Sequence, residues 1–178
     1  MPHKTLIALI CTFGSALPLQ AKDLDLVDLP TGYYDNRSTP KDVVLSYYNA
    51  LALQQYARAF SYGLRGTPED PADALAAAYE SFRDSFDPDS TVQLRLTETF
   101  SDAGVGKNVS AYAAVVALTS AAGETKLFAG CHYVVARSPA DQDYAPFDPI
   151  RIDHTEMEPA GASLIRSRCR IVGSERRD

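Results

Sequence analysis

Two short stretches of this chain carry side chains able to move a proton or hold an ion. In Phe128-Ala129-Gly130-Cys131-His132-Tyr133 an imidazole interrupts an apolar run that alternates as a strand. Such a histidine can act as a general base or hydrogen-bond a ligand when its face lines a pocket. His132 shares its face with Phe128, Gly130 and Val134, and Cys131 and Tyr133 take the other. Neither face is polar, so parity leaves the direction of His132 open. The second stretch, Asp153-His154-Thr155-Glu156, pairs a histidine with carboxylates. In an unbroken strand His154 and Glu156 continue the face of Ile150 and Ile152 while Asp153 points away. That arrangement would make an acid/base pair or half of a metal site. Zinc needs three or four ligands and no third stands nearby, so solvated groups near a strand end are the plainer reading and no metal is expected.

Other ionisable groups point to less. Asp87, Asp89 and Glu98 resemble the spacing of a calcium loop, but Val92 stands where the sharp turn needs glycine. Arg166, Arg168 and Arg170 alternate with Ile165, Cys169 and Ile171, a basic row suited to a carboxylate or phosphate and equally to a charged outer face. No sequence pattern for a cofactor is present, and none is expected. His132 is the single catalytic candidate, and it stands without a partner motif.

The elements that must position these groups follow from periodicity. Thr39 caps a helix, with Pro40 at its first position and Asp42 at the positive end of the dipole. Val44, Tyr47, Tyr48 and Leu51 form one apolar stripe, and after a break at Gln54-Gln55 a shorter helix carries Tyr56, Ala59 and Phe60. Asp70-Pro71 repeats the cap device before Leu75, Tyr79, Phe82 and Phe86. Beyond Asp87-Pro88 the period becomes two. Val92, Leu94 and Leu96 alternate with polar residues, long apolar strands follow over 109–119 and 126–137 around a hairpin at Ala122-Gly123-Glu124, and two more are expected at 150–157 and 163–172. Helices first and an antiparallel sheet afterwards predict an α+β domain of three helices and about five strands.

Residues 1–21 place Lys4 ahead of the apolar run 6–13 and a small-residue zone ending at Ala21, the layout of a signal peptide cleaved near Ala21. The run is too short to span a bilayer, so the expected product is exported, periplasmic or secreted, without stable membrane insertion. The remainder divides into an extended or partly mobile lead over 22–38, one domain over 39–173 and a short tail over 174–178. The chain carries a formal charge of −6, which argues against nucleic-acid partners. Export leaves Cys131 and Cys169, for which a disulfide is the default and a pair of buried thiols the alternative. A bridge closing about 38 residues is worth roughly 4 kcal/mol in the chain-entropy picture.

The pattern Thr39-Pro40-x-x-Val43-Val44-x-x-Tyr47-Tyr48-x-Ala50-Leu51, then Tyr56-x-x-Ala59-Phe60-x-Tyr62, resembles the opening of exported proteins with the nuclear transport factor 2-like cone fold. Phe128-Ala129-Gly130-Cys131-x-Tyr133-x-Val135 is similar to that group's core strand. The resemblance covers roughly 39–137 and implies a curved sheet with a pocket between it and the helices. Tyr48, Tyr62, Tyr79 and His132 are then the candidate ligand-binding residues, against a plainer reading of the tyrosines as core. The expected function is a non-enzymatic module that binds a small apolar ligand or a protein, with a homodimer through an open sheet face as one arrangement. The alternative is a pocket enzyme for isomerisation, cyclisation or dehydration, since the superfamily holds both kinds and fold does not choose between them.

Overall fold

The computed structural model describes residues 26–27, 29–63, 72–104, 106–138, 140, 149–160 and 169. Helix α1 (Pro40–Ala52) starts where the cap predicts: Thr39 is extended, its hydroxyl accepts from the Asp42 amide at 3.2 Å, and it donates to the Asp42 carboxylate at 2.7 Å. Val43, Val44, Tyr48, Ala50 and Leu51 are buried along its length. Full burial of each larger aliphatic side chain stabilises the fold by about 1.5–3 kcal/mol. The break falls at Gln54, which adopts a left-handed φ of 57° and donates from its side chain to the Pro88 carbonyl at 2.6 Å. Helix α2 (Tyr56–Phe60) follows directly, and α3 (Ala72–Asp84) comes third. The expected Asp70-Pro71 cap lies outside the described residues. Leu75 of the predicted α3 stripe stays exposed, and this helix makes its ring contacts from Tyr79 onward.

The protein is α+β, with an antiparallel sheet in the order β1-β2-β3-β4-β5. Strands β2 (Thr91–Gly104), β3 (Lys107–Thr119), β4 (Thr125–Arg137) and β5 (Ile150–Pro159) form a four-stranded meander. The far edge is a two-residue β1 (Leu26–Val27) paired with β2 at Leu94 and Arg95, within the expected lead. The strand expected over 163–172, with its arginine row, lies outside the described residues apart from Cys169; among the described residues the sheet has four long strands and the short β1. The hairpin between β3 and β4 turns at Gly123, whose φ of 82° suits glycine, as the sequence predicts.

Two bulges correct the simple alternation. Between Glu98 and Phe100 the register of β2 slips by one, so Phe100 pairs with Ala111 and joins the face opposite to Leu94 and Leu96. In β5 the extra residue is Asp153: Ile152 pairs with Val134, but His154 pairs with Tyr133 and Thr155 with His132. His154 therefore does not continue the face of Ile152, as unbroken parity predicts. Thr155 takes that place.

The inner sheet face (Leu94, Leu96, Tyr112, Ala114, Val116, Val134, Ile152) packs with α1 and α2 into the main core. Its opposite face is not open at the centre. Ala111, Ala113, Val115, Cys131, Tyr133 and Val135 are all buried, and Cys169 reaches this side through a disulfide to Cys131.

The described part of the lead before α1 is hydrogen-bonded to α1 and α2. Asn49, fully buried, donates to the carbonyls of Pro30 and Gly32 at 2.7 and 2.9 Å and accepts from the Tyr34 amide and the Arg58 guanidinium. Ser46, also fully buried, accepts from the Asn36 amide at 2.9 Å and donates back to the Asn36 carbonyl. The Tyr62 hydroxyl donates to Asp35 at 2.7 Å, and Arg37 lies over the Tyr62 ring.

Candidate functional site: an aromatic cavity with a polar wall

A cavity of about 430 Å³ opens between the helices and the start of β5. Tyr47 of α1, Ala59 and Phe60 of α2, Gly63 just beyond it, and Phe82 and Phe86 from α3 and its end form the apolar side. Ile152, Asp153, His154 and Thr155 form the other. The volume falls within the range of small-molecule sites, and the lining has their usual composition of mostly apolar groups with a few polar ones.

Sequence order explains how these parts meet. Tyr47 and Tyr48 are adjacent on α1 and so diverge by about 100°. Tyr48 bonds His132 on the sheet, whereas Tyr47 lies between the His132 ring at 6.0 Å and Phe82 at 6.4 Å. Phe82 continues the aromatic wall to Phe60 at 5.4 Å and to Phe86 at 5.0 Å, and Phe86 stacks on Tyr56. The chain after α2 is fastened to β5 where the Ile152 amide donates to the Tyr62 carbonyl at 2.8 Å.

The bulge at Asp153 sets the polar wall, because it turns Thr155 inward opposite His132. His132 is only 1 % exposed. Its Nε2 lies 2.6 Å from the Tyr48 hydroxyl and its Nδ1 lies 2.9 Å from Thr155 Oγ1. Both ring nitrogens are thus engaged, and burial pushes the imidazole down to about 4, leaving it neutral at ordinary pH. The Tyr48 hydroxyl is itself held protonated, chiefly by burial and secondarily by its neighbour Tyr47. Burial also raises the Tyr47 phenol. The result is a file, Tyr48–His132–Thr155, buried at Tyr48 and His132 and reaching the cavity at Thr155, which is exposed.

Gly130 lets β5 come this close. A Cβ built on it would meet the Glu156 carbonyl oxygen at 1.7 Å, well inside contact distance. Any side chain at this position would push β5 away from β4, two register pairs from the His132–Thr155 contact.

Among the described residues, the sealed polar atoms without a partner are the Nε atoms of Arg58 and Arg151. Among the described residues the Tyr47 hydroxyl has no hydrogen-bond partner, and Tyr47 lines the cavity. Asp153 stands on the polar wall with Arg151 at 3.5 Å. His154 stacks on Tyr133 and bonds Glu156 at 3.0 Å, both side chains about half exposed, on a face turned by the bulge. No group of three or more metal-ligating side chains occurs among the described residues.

The candidates named from sequence separate. Tyr48 and His132 come together directly behind the polar wall. Tyr62 is buried against Asp35 in the N-terminal clamp, and Tyr79 packs its ring on Phe60 at 5.6 Å; neither is among the lining residues. Tyr47, Phe60 and Phe82 line the cavity, as a pocket facing the helices implies, whereas Thr155 escapes a period-two reading. The signal for Thr155 would have been the bulge, and the sequence around Asp153 holds no glycine to mark one.

Comparison of the chain with protein-family models, curated proteins and solved structures returns no match.

Proposed function

We propose that this protein binds one small, largely apolar ligand in the cavity between α1, α2, α3 and β5, and does so outside the reducing cytoplasm. The observation that carries the reading is the pairing of an aromatic wall (Tyr47, Phe60, Phe82, Phe86) with a single polar wall around Thr155 in about 430 Å³. Rings provide apolar area at little entropic cost, and the few polar groups orient what they hold. The disulfide between Cys131 and Cys169 supports export, since such bonds persist in oxidising compartments. The order of three helices before an antiparallel sheet is what the nuclear transport factor 2-like resemblance leads one to expect.

Binding is better supported than proton transfer. A general base must reach the substrate's proton and hold a pKa near the working pH. His132 has both nitrogens engaged, sits behind Thr155 and is pushed down to about 4. The test is a titration with 1-aminoanthracene, followed in methyl carbon–proton spectra. Saturable shifts centred on Ala59, Ile152 and Thr155 are the expected result. No saturable shift, or shifts confined to Ala113 and Val115 on the opposite sheet face, would sink the reading.

A further inference from the structure

The polar wall has a direction that follows from hydrogen-bond accounting. Tyr48 is sealed in the core, and its hydroxyl has one partner among the described residues, Nε2 of His132. If Nε2 carried the imidazole proton, the Tyr48 proton would be left buried without an acceptor, which native cores avoid. Tyr48 therefore donates to Nε2. A neutral imidazole then carries its proton on Nδ1 and donates it to Thr155 Oγ1 at 2.9 Å. Thr155 is the end of the file: its oxygen is already accepting, and its own proton has no acceptor among the described residues. Thr155 borders the cavity, so this proton is available there. The unpaired Tyr47 hydroxyl adds a second donor on the opposite wall.

From this arrangement we infer that the cavity selects an apolar ligand bearing an uncharged carbonyl-type acceptor, with Thr155 donating to that oxygen and Tyr48 and His132 acting as positioning residues that fix the direction of the donor. The acceptor is uncharged because, among the described residues, no lysine or arginine lines the cavity, whereas Asp153 does. The inference rests on the ligand-binding reading above and narrows it to a class of ligand.

Two measurements on the whole protein test it. Long-range proton–nitrogen correlation of the imidazole groups reads the tautomer of His132 directly: the Nδ1–H form is expected, and the Nε2–H form would overturn the inference whether or not any ligand binds. Calorimetric titration then compares three probes with the same ring system. 2-Acetylnaphthalene presents a neutral carbonyl, 2-isopropenylnaphthalene replaces that oxygen by a methylene of similar shape, and 2-naphthoate adds a charge. The ketone is expected to bind about tenfold more tightly than the alkene, as one well-formed hydrogen bond provides, and more tightly than the naphthoate. Thr155→Val is expected to reduce the ketone to the level of the alkene, and Thr155→Ser to keep the preference. Equal binding of ketone and alkene overturns the donor assignment and leaves the apolar cavity standing. Tighter binding of the naphthoate overturns the uncharged class. Binding of none of the three overturns the cavity reading, and this inference with it.

Discussion

The N-terminal clamp and the cavity both carry polar side chains, and they treat them in opposite ways. In the clamp, Asn49 meets Pro30, Gly32, Tyr34 and Arg58, and Ser46 both donates to and accepts from Asn36. At the cavity, Tyr47 makes no hydrogen bond among the described residues, and Thr155 is engaged there only through its bond to His132. The same helix serves both sets, since Ser46 and Asn49 flank Tyr47 and Tyr48. A network in which every member but the Arg58 Nε has its partner fixes one arrangement of the chain, because losing any member leaves the others stranded. An unsaturated hydroxyl at a cavity fixes nothing in the free protein and remains available to a ligand. One face of α1 is built for holding, the other for receiving.

The clamp gives the largest expected effect. Asn49→Ala strands two carbonyls, an amide and part of a guanidinium in a buried setting. Each such group costs about 1–3 kcal/mol, so the total is on the order of 4 kcal/mol, even with some rescue by water. Urea denaturation would show this as a lower midpoint. A loss below about 1 kcal/mol would mean that the clamp is decoration, and the contrast between the two regions would collapse.

The file behind the cavity comes next. The folded state holds His132 near 4, against 6.5 when unfolded, through burial alone. Its neighbours across α1 and β5 are Tyr47, Tyr48 and Thr155, none of them charged. As pH falls below about 6.5, the unfolded chain takes up a proton that the folded one refuses. Stability is therefore full above that pH, declines towards pH 4 and levels below it, by about 3 kcal/mol in all. Asp35 falls outside this window: burial pushes its carboxyl up, but the Tyr62 hydroxyl and Arg37 outweigh that and hold it below its usual value. Its contribution is lost at lower pH still. Stability profiles of the wild type and His132→Gln, taken from pH 7 to 4, should diverge by this amount. Parallel profiles would place His132 in contact with water and undo the file.

How much of this was legible depended on whether the cause was local. Thr39, Pro40 and Asp42 define the start of α1 within four residues, and Gly123 defines the β3–β4 hairpin within five, so both stood out. The stripe Val44-Tyr47-Tyr48-Leu51 showed that α1 packs, but not that Tyr47 and Tyr48 part company, because that depends on where α3 docks. His132 was singled out with its direction open, and only pairing with Tyr112 and Thr155 settles it. Parity failed at Asp153 because one inserted residue reverses every assignment after it. The clamp was missed for a different reason. Ser46 and Asn49 read as polar breaks in an apolar helix, and their partners are backbone groups of a lead that shows no period of its own.

The smallest expected change in stability is also the sharpest test of the contrast. Tyr47→Phe removes a hydroxyl that has no hydrogen-bond partner among the described residues and keeps the ring that packs near Phe82. Stability should therefore stay within about 0.5 kcal/mol of the wild type, as for changes that break no buried contact. Tyr48→Phe, one residue along, removes the donor to His132 and leaves a sealed ring nitrogen unpaired, at about 1–3 kcal/mol. Binding should follow the opposite order. Tyr47→Phe should weaken the 2-acetylnaphthalene complex several-fold while leaving the 2-isopropenylnaphthalene complex unchanged, because only the ketone offers an acceptor. If Tyr47→Phe instead unfolds the domain as readily as Tyr48→Phe, the hydroxyl is structural and the receiving face of α1 is part of the core.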